Sequence, residues 1–137
     1  MSNAAKGIDA WHQVIASGSE PTQLAAILHD DAVFHSPVVH TPQRGKAIVM
    51  AYLTAAGQTL GNDSFTYLRE VVDGDTAVLE FQTEMDGIEI NGIDMITFDE
   101  TGLITDFKVM VRPLKAINKV WEMVAAQLEQ QKAEPRP

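Results

Sequence analysis

The chain has 137 residues, 45% of them hydrophobic and 21% charged, the composition of a folded domain with its own core rather than of a disordered segment. A formal net charge of −9 repels phosphate backbones and anionic headgroups, so neither nucleic acid nor membrane is an expected partner. Cysteine is absent, which excludes disulfides, thiolate metal sites and cysteine nucleophiles and fits a reducing compartment.

The first residues, MSNAAKG, contain no apolar stretch, so no signal peptide is expected and the reading is cytoplasmic. Ile8, Trp11 and Ile15 recur at helical spacing, with Gly18 as a C-terminal stop. Pro21 suits the first turn of a second helix, with Leu24, Ile27 and Leu28 as its buried stripe. Asp30-Asp31 then leads into a short strand, Ala32–Ser36. Pro37 and Pro42 bracket an irregular loop, because neither can donate to a ladder. A third helix is predicted from about Lys46, with Ile48, Ala51, Tyr52 and Ala55 on one face and Gly57 at its end. Its apolar run Ala47–Leu53 is far too short to span a bilayer.

From Phe65 the pattern becomes that of strands. Asp73-Gly74 and Asp86-Gly87 are hairpin signals, since Gly accepts the positive φ of a tight turn, and Asp99–Gly102 makes a longer turn. The predicted meander is Phe65–Val72, Thr76–Met85, Ile88–Phe98 and Leu103–Arg112. Pro113 opens a last helix with the stripe Leu114, Ile117, Trp121, Val124 and Leu128, where Trp121 reads as core. The tail from Glu129 is polar and expected to fray. The whole reads as one α+β domain over residues 1–137, helices packed on one face of an antiparallel sheet.

Pairing across the turns tests which side chains share a face. Phe98 opposite Leu103 places Asp94 opposite Phe107 and Gly92 opposite Val109, and Met85 opposite Ile88 places Asp94 opposite Leu79. One face then carries Leu79, Phe81, Asp94, Ile96, Phe98, Phe107, Val109 and Val111, and this is the inner face. The other carries Glu84, Glu89, Met95, Lys108, Met110 and Arg112, a mixture of methionine and charge that suits a homodimer contact.

Asp94 is therefore a carboxylate among apolar neighbours, in the run GIDMITF. Such a group is hydrogen-bonded, neutralised or protonated, so it is either a structural aspartate or a pocket acid of raised pKa. The segments DDAVFHSPVV, GKAIVMAYL and GIDMITFDETGLI resemble matching stretches of ketosteroid isomerases. These belong with SnoaL-like polyketide cyclases to the nuclear transport factor 2-like superfamily. The similarity runs from about Ile8 to Arg112. It implies a cone-shaped fold with a pocket between the sheet and the first three helices. It also implies that Asp94 matches the protonated aspartic acid of the isomerase oxyanion hole, and Tyr52 a pocket tyrosine of that network.

Two positions depart from the isomerase pattern. Ser36 stands where the family has its general-base aspartate, and a serine cannot abstract a carbon-bound proton unaided. Trp11 stands where the family has the oxyanion-hole tyrosine, and its indole donates one N–H without a titratable hydroxyl. Ketosteroid isomerase activity is thus disfavoured, and an epoxide hydrolase would need further pocket carboxylates and an arginine. His29, His35 and His40 match no metal-ligand spacing, and no metal or cofactor is expected. His12 beside Trp11 is either solvated or a base at the pocket mouth.

The candidate site is Asp94 as the catalytic group, with Trp11, His12, Ser36, Tyr52, Leu79, Phe81, Phe107 and Val109 as ligand contacts. Three function classes stay open. One is isomerase- or cyclase-type acid–base chemistry on an apolar, carbonyl-bearing substrate. The others are a non-catalytic binder of a small hydrophobic molecule and a dimeric interaction module with a vestigial cavity.

Overall fold

The structure, a computed structural model, describes residues 2–133, without the side chains of residues 131–133. Four helices and six strands follow the order α1 (Asn3–Ala16), α2 (Pro21–Ala26), β1 (Leu28–His35), β2 (Gln43–Arg44), α3 (Lys46–Leu60), β3 (Thr66–Asp73), β4 (Thr76–Met85), β5 (Ile88–Phe98), β6 (Ile104–Arg112) and α4 (Leu114–Ala133). The strands form one sheet in the order β2-β1-β6-β5-β4-β3. The predicted meander β3–β6 is its body. Two strands were not expected in this form: β2 is new, and β1 starts at Leu28 rather than Ala32 and pairs parallel to β6. The early start shortens α2, so Ile27 and Leu28 leave the helix. Leu28 still packs into the core, now from a strand.

The helices lie against one sheet face, with α1 on β4 and β5, α3 on β1, and α4 on β5 and β6. Local chemistry starts them where the sequence does. The Ser2 side chain accepts from the Ala5 N–H at the head of α1, and the Glu20 carboxylate accepts from Thr22 and Gln23 at the head of α2.

Three expectations about helices fail for identifiable reasons. Gly57 does not end α3, which continues to Leu60; a Cβ at Gly57 would come within 2.4 Å of the Ser19 Oγ, so this glycine admits the α1–α2 turn. The face of α3 that is buried carries Val49, Leu53, Ala55 and Leu60, while Ile48 is exposed. In α4 Val124 and Leu128 pack against the core as expected, but in the first half of the helix the buried positions are Ala116 and Val120, one residue before Ile117 and Trp121. Trp121 is therefore not core: it is 43% exposed, and Leu114 is exposed too. The helix also runs through the expected frayed tail to Ala133, and residues 134–137 lie outside the described residues.

The sheet register differs from expectation by two residues between β5 and β6 and agrees between β4 and β5. Asp94 lies opposite Val109 rather than Phe107, Ile96 opposite Phe107, and Gly92 opposite Val111 rather than Val109. Asp99, not Phe98, closes the turn, its N–H donating to the Leu103 carbonyl at 2.8 Å. A bulge between Thr97 and Phe98 then adds a second one-residue offset. Two such offsets restore parity, so the inner face keeps its predicted members. Leu79, Phe81, Ile96, Phe98 and Phe107 are all buried on it, with Asp94 among them.

Candidate functional site

A cavity of about 90 Å³ lies between the inner face and the helices. The strands supply Phe34, Tyr67, Phe81, Asp94, Phe107 and Val109 to its wall. Helix α1 contributes Trp11, α3 contributes Tyr52 and Leu53, and α4 contributes Val120, Trp121 and Val124. Alternation along the strands explains this directly, because every second side chain of β4, β5 and β6 must turn inward. The exposed lining residues Gly18, Gly61 and Trp121 mark where the space meets solvent.

The polar centre is a relay of three side chains. The Trp11 indole Nε1–H donates to the Tyr67 hydroxyl oxygen at 3.0 Å, and that hydroxyl donates to Asp94 Oδ2 at 2.7 Å. Asp94 is 7% exposed and is the one carboxylate lining the cavity among the described residues. Burial pushes its carboxyl up to about 7, against the Tyr67 hydrogen bond, which pulls it down. The Tyr67 phenol moves above its ordinary range, chiefly through burial and then through the Asp94 charge beside it. Tyr67 thus stays a donor, while Asp94 holds its proton to a markedly higher pH than an ordinary aspartate. In its acid form it can donate a hydrogen bond into the cavity, and in its ionised form it can accept a proton there.

Aromatic packing holds the relay. Trp11 meets the Phe107 ring edge-on at 5.0 Å, Phe65 meets Tyr67 edge-on at 5.1 Å, and Phe65 stacks on Phe81 at 5.5 Å. Pairs of this kind contribute about 0.5–1.5 kcal/mol each beyond area burial. Tyr52, expected in the polar network, instead stacks on Phe34 at 5.3 Å and forms a wall. Ser36 also lines the cavity, but its Oγ accepts from the Val38 and Val39 N–H groups and so shapes the following loop.

Two predicted contacts do not reach the cavity. Leu79 is fully buried on the inner face, opposite Asp94, but packs outside the cavity wall. His12 turns to Glu70, with its Nε2 2.5 Å from the carboxylate, and touches the site only through the edge of Tyr67. His35 pairs with Asp106 at 2.8 Å, and the His29 Nδ1 accepts from the Asp31 N–H. No three metal-ligating side chains gather among the described residues. No helix is long and apolar enough to cross a membrane.

Tyr67 is the residue that sequence reasoning missed. Counting back from the tight turn where Asp73 faces Thr76, Tyr67 would lie opposite Gln82 and point outward. A bulge at Leu68 shifts the register by one, sets Tyr67 opposite Phe81, and turns it into the site.

Residues 8–107 match the SnoaL-like domain. The chain belongs to the SnoaL-like family. A steroid delta-isomerase from Pseudomonas aeruginosa is 38% identical, with a TM-score of 0.90 over 98% of this chain and 97% of that one. An NTF2-like protein of unknown function from Mesorhizobium loti shares the fold at 16% identity, with a TM-score of 0.69 over 82% of this chain and 96% of its own. A SnoaL-like polyketide cyclase assignment from Jannaschia sp. CCS1 goes with the same fold at 9% identity and a TM-score of 0.68, covering 85% and 92%. Among curated proteins none matches the sequence. The relatives of this SnoaL-like chain thus include isomerase and cyclase structures, on the α+β architecture expected of it.

Proposed function

We propose that this SnoaL-like protein binds a small apolar molecule bearing a carbonyl oxygen, and that Asp94 acts on that oxygen as a hydrogen-bond donor or general acid. The observation that carries the reading is the Trp11–Tyr67–Asp94 relay at the wall of an otherwise apolar cavity. A carboxyl group poised near neutral pH is matched to proton transfer at that pH. As Asp94 gives up its proton, the Tyr67 hydroxyl already donates to the carboxylate left behind, and Trp11 fixes that hydroxyl in place. While Asp94 keeps its proton, its O–H donates to the carbonyl oxygen and stabilises negative charge developing there without reorientation. The 38% identity to a protein described as a steroid delta-isomerase supports chemistry of this class.

A second reading, a non-catalytic binder, is favoured by a specific observation. No other carboxylate, histidine or lysine lines the cavity among the described residues, so the proton leaving carbon has no second base to receive it. One experiment separates the two. Deuterium uptake at the α-carbon of a cyclic enone in D2O is followed by mass spectrometry with wild type, Asp94→Asn and Asp94→Leu. The catalytic reading expects uptake faster than buffer and lost in Asp94→Leu. Uptake at the buffer rate, with binding intact, leaves the binder reading.

A further inference from the structure

The size and lining of the cavity say more about the ligand than its single acid does. Building on the reading that Asp94 faces the ligand's oxygen, we infer that the ligand is one planar, uncharged ring carrying a carbonyl or phenolic oxygen, rather than a fused polycycle.

Volume comes first. The cavity holds about 90 Å³, whereas an apolar protein cavity of roughly 150 Å³ takes one benzene ring. By that measure the enclosed space takes no more than one small ring, part of which must stand in the mouth. A four-ring skeleton would have to push aside α4, whose Val120 and Val124 line the cavity and whose Trp121 stands at its mouth. The small size has a visible source. Trp11 occupies the floor from α1, 4% exposed, and the Phe34–Tyr52 and Phe65–Phe81 stacks fill both flanks.

Shape and charge follow from the same walls. The aromatic side chains of Trp11, Phe34, Phe65, Tyr67, Phe81 and Phe107 line the wall, and ring contacts of this kind favour a flat, unsaturated ligand. No cationic side chain lines the cavity among the described residues, so an anionic ligand would meet Asp94 with nothing to offset its charge. A cationic ligand would need Asp94 ionised, and burial works against that form. A neutral oxygen acceptor fits the acid form directly.

The test uses the whole chain with the Asp94 carboxyl carbon and the Trp11 indole nitrogen isotopically labelled. Four probes are titrated: cyclohex-2-enone, the two-ring 1-tetralone, a four-ring 3-ketosteroid, and benzylamine as the cation of similar size. Expected is that cyclohex-2-enone shifts both resonances and the ketosteroid shifts neither. Asp94→Leu should weaken the enone by about tenfold, the worth of one buried hydrogen bond, while Asp94→Asn, still a donor, retains it. Trp121→Ala, an exposed position whose loss spares the core, should open the mouth and tighten 1-tetralone by about tenfold. A ketosteroid that shifts both resonances as strongly as the enone overturns the one-ring inference and leaves the Asp94 reading standing. Benzylamine binding more tightly than the enone overturns the neutral-ligand part. Probes that bind without moving the Asp94 signal, or none that bind, overturn the reading of the site itself.

Discussion

At the scale of single residues, Asp94 is a contest between two effects of known sign. Desolvation raises its pKa and the Tyr67 hydroxyl lowers it, with burial ahead, so the folded value near 7 stands above the ordinary aspartate value of 3.8. A group whose folded pKa is raised binds its proton more tightly when folded. Stability therefore falls as pH rises from about 4 to about 7 and levels off above, by an amount on the order of a few kcal/mol. Asp94→Asn keeps the shape and the acceptor for Tyr67 while removing the titration. Thermal melts should show Asp94→Asn more stable than wild type at pH 8 and close to it at pH 4. A variant clearly less stable at pH 8 would mean that the carboxylate is paired and structurally required. Tyr67→Phe works the other way: it removes the lowering hydrogen bond, drives the Asp94 midpoint above 7, and leaves the Trp11 N–H unpaired. Chemical denaturation should register that loss at about 1–3 kcal/mol.

At the scale of elements, the sequence is legible where one physical signal dominates. The Asp-Gly turns and period-two alternation determine β4 and β5 to the residue, and their register follows. The β5–β6 register was misjudged by two, yet Asp94 stayed on the right face because a turn offset and a bulge add to an even number. The same kind of bulge, occurring singly at Leu68, hid Tyr67, the partner that defines the site. Bulges leave no composition signal of their own, and this is why one of the three relay residues was unreadable. Helix faces failed more simply: α3 and α4 are apolar on more than one side, so periodicity alone left their rotation open, and Trp121 went to the cavity mouth. Gly57 reads as a helix stop in the sequence, and its role in the structure is close approach to Ser19. Gly57→Ala should destabilise by about 1–3 kcal/mol through the clash with Ser19, and Ser19→Gly should restore most of it in the double variant. Additive losses in a denaturation cycle would show that the two positions do not touch.

At the scale of the whole molecule, the outer sheet face is partly apolar. Val71, Val78, Met95 and Lys108 lie side by side across β3, β4, β5 and β6, and the next row holds Arg69, Glu80, Ile93 and Met110. Met110 is 48% exposed and Val71 59%, unusual positions for a face meant only for water. On the same face Arg112 donates to the Asn91 amide oxygen at 2.9 Å, and Glu89 is exposed. This face is expected to be buried in a homodimer. Light scattering at micromolar concentration should return twice the chain mass, and Met110→Lys should return one; wild-type protein at the monomer mass would remove the assignment.

The claim that everything else depends on is that one buried acid, facing an apolar cavity, titrates near neutral pH. Carbon-13 NMR of the labelled Asp94 carboxyl across a pH series measures this without a ligand and without an assay. The midpoint should lie near 7 in wild type and higher in Tyr67→Phe. A midpoint in the ordinary aspartate range, unmoved by Tyr67→Phe, would contradict both the relay and the function built on it.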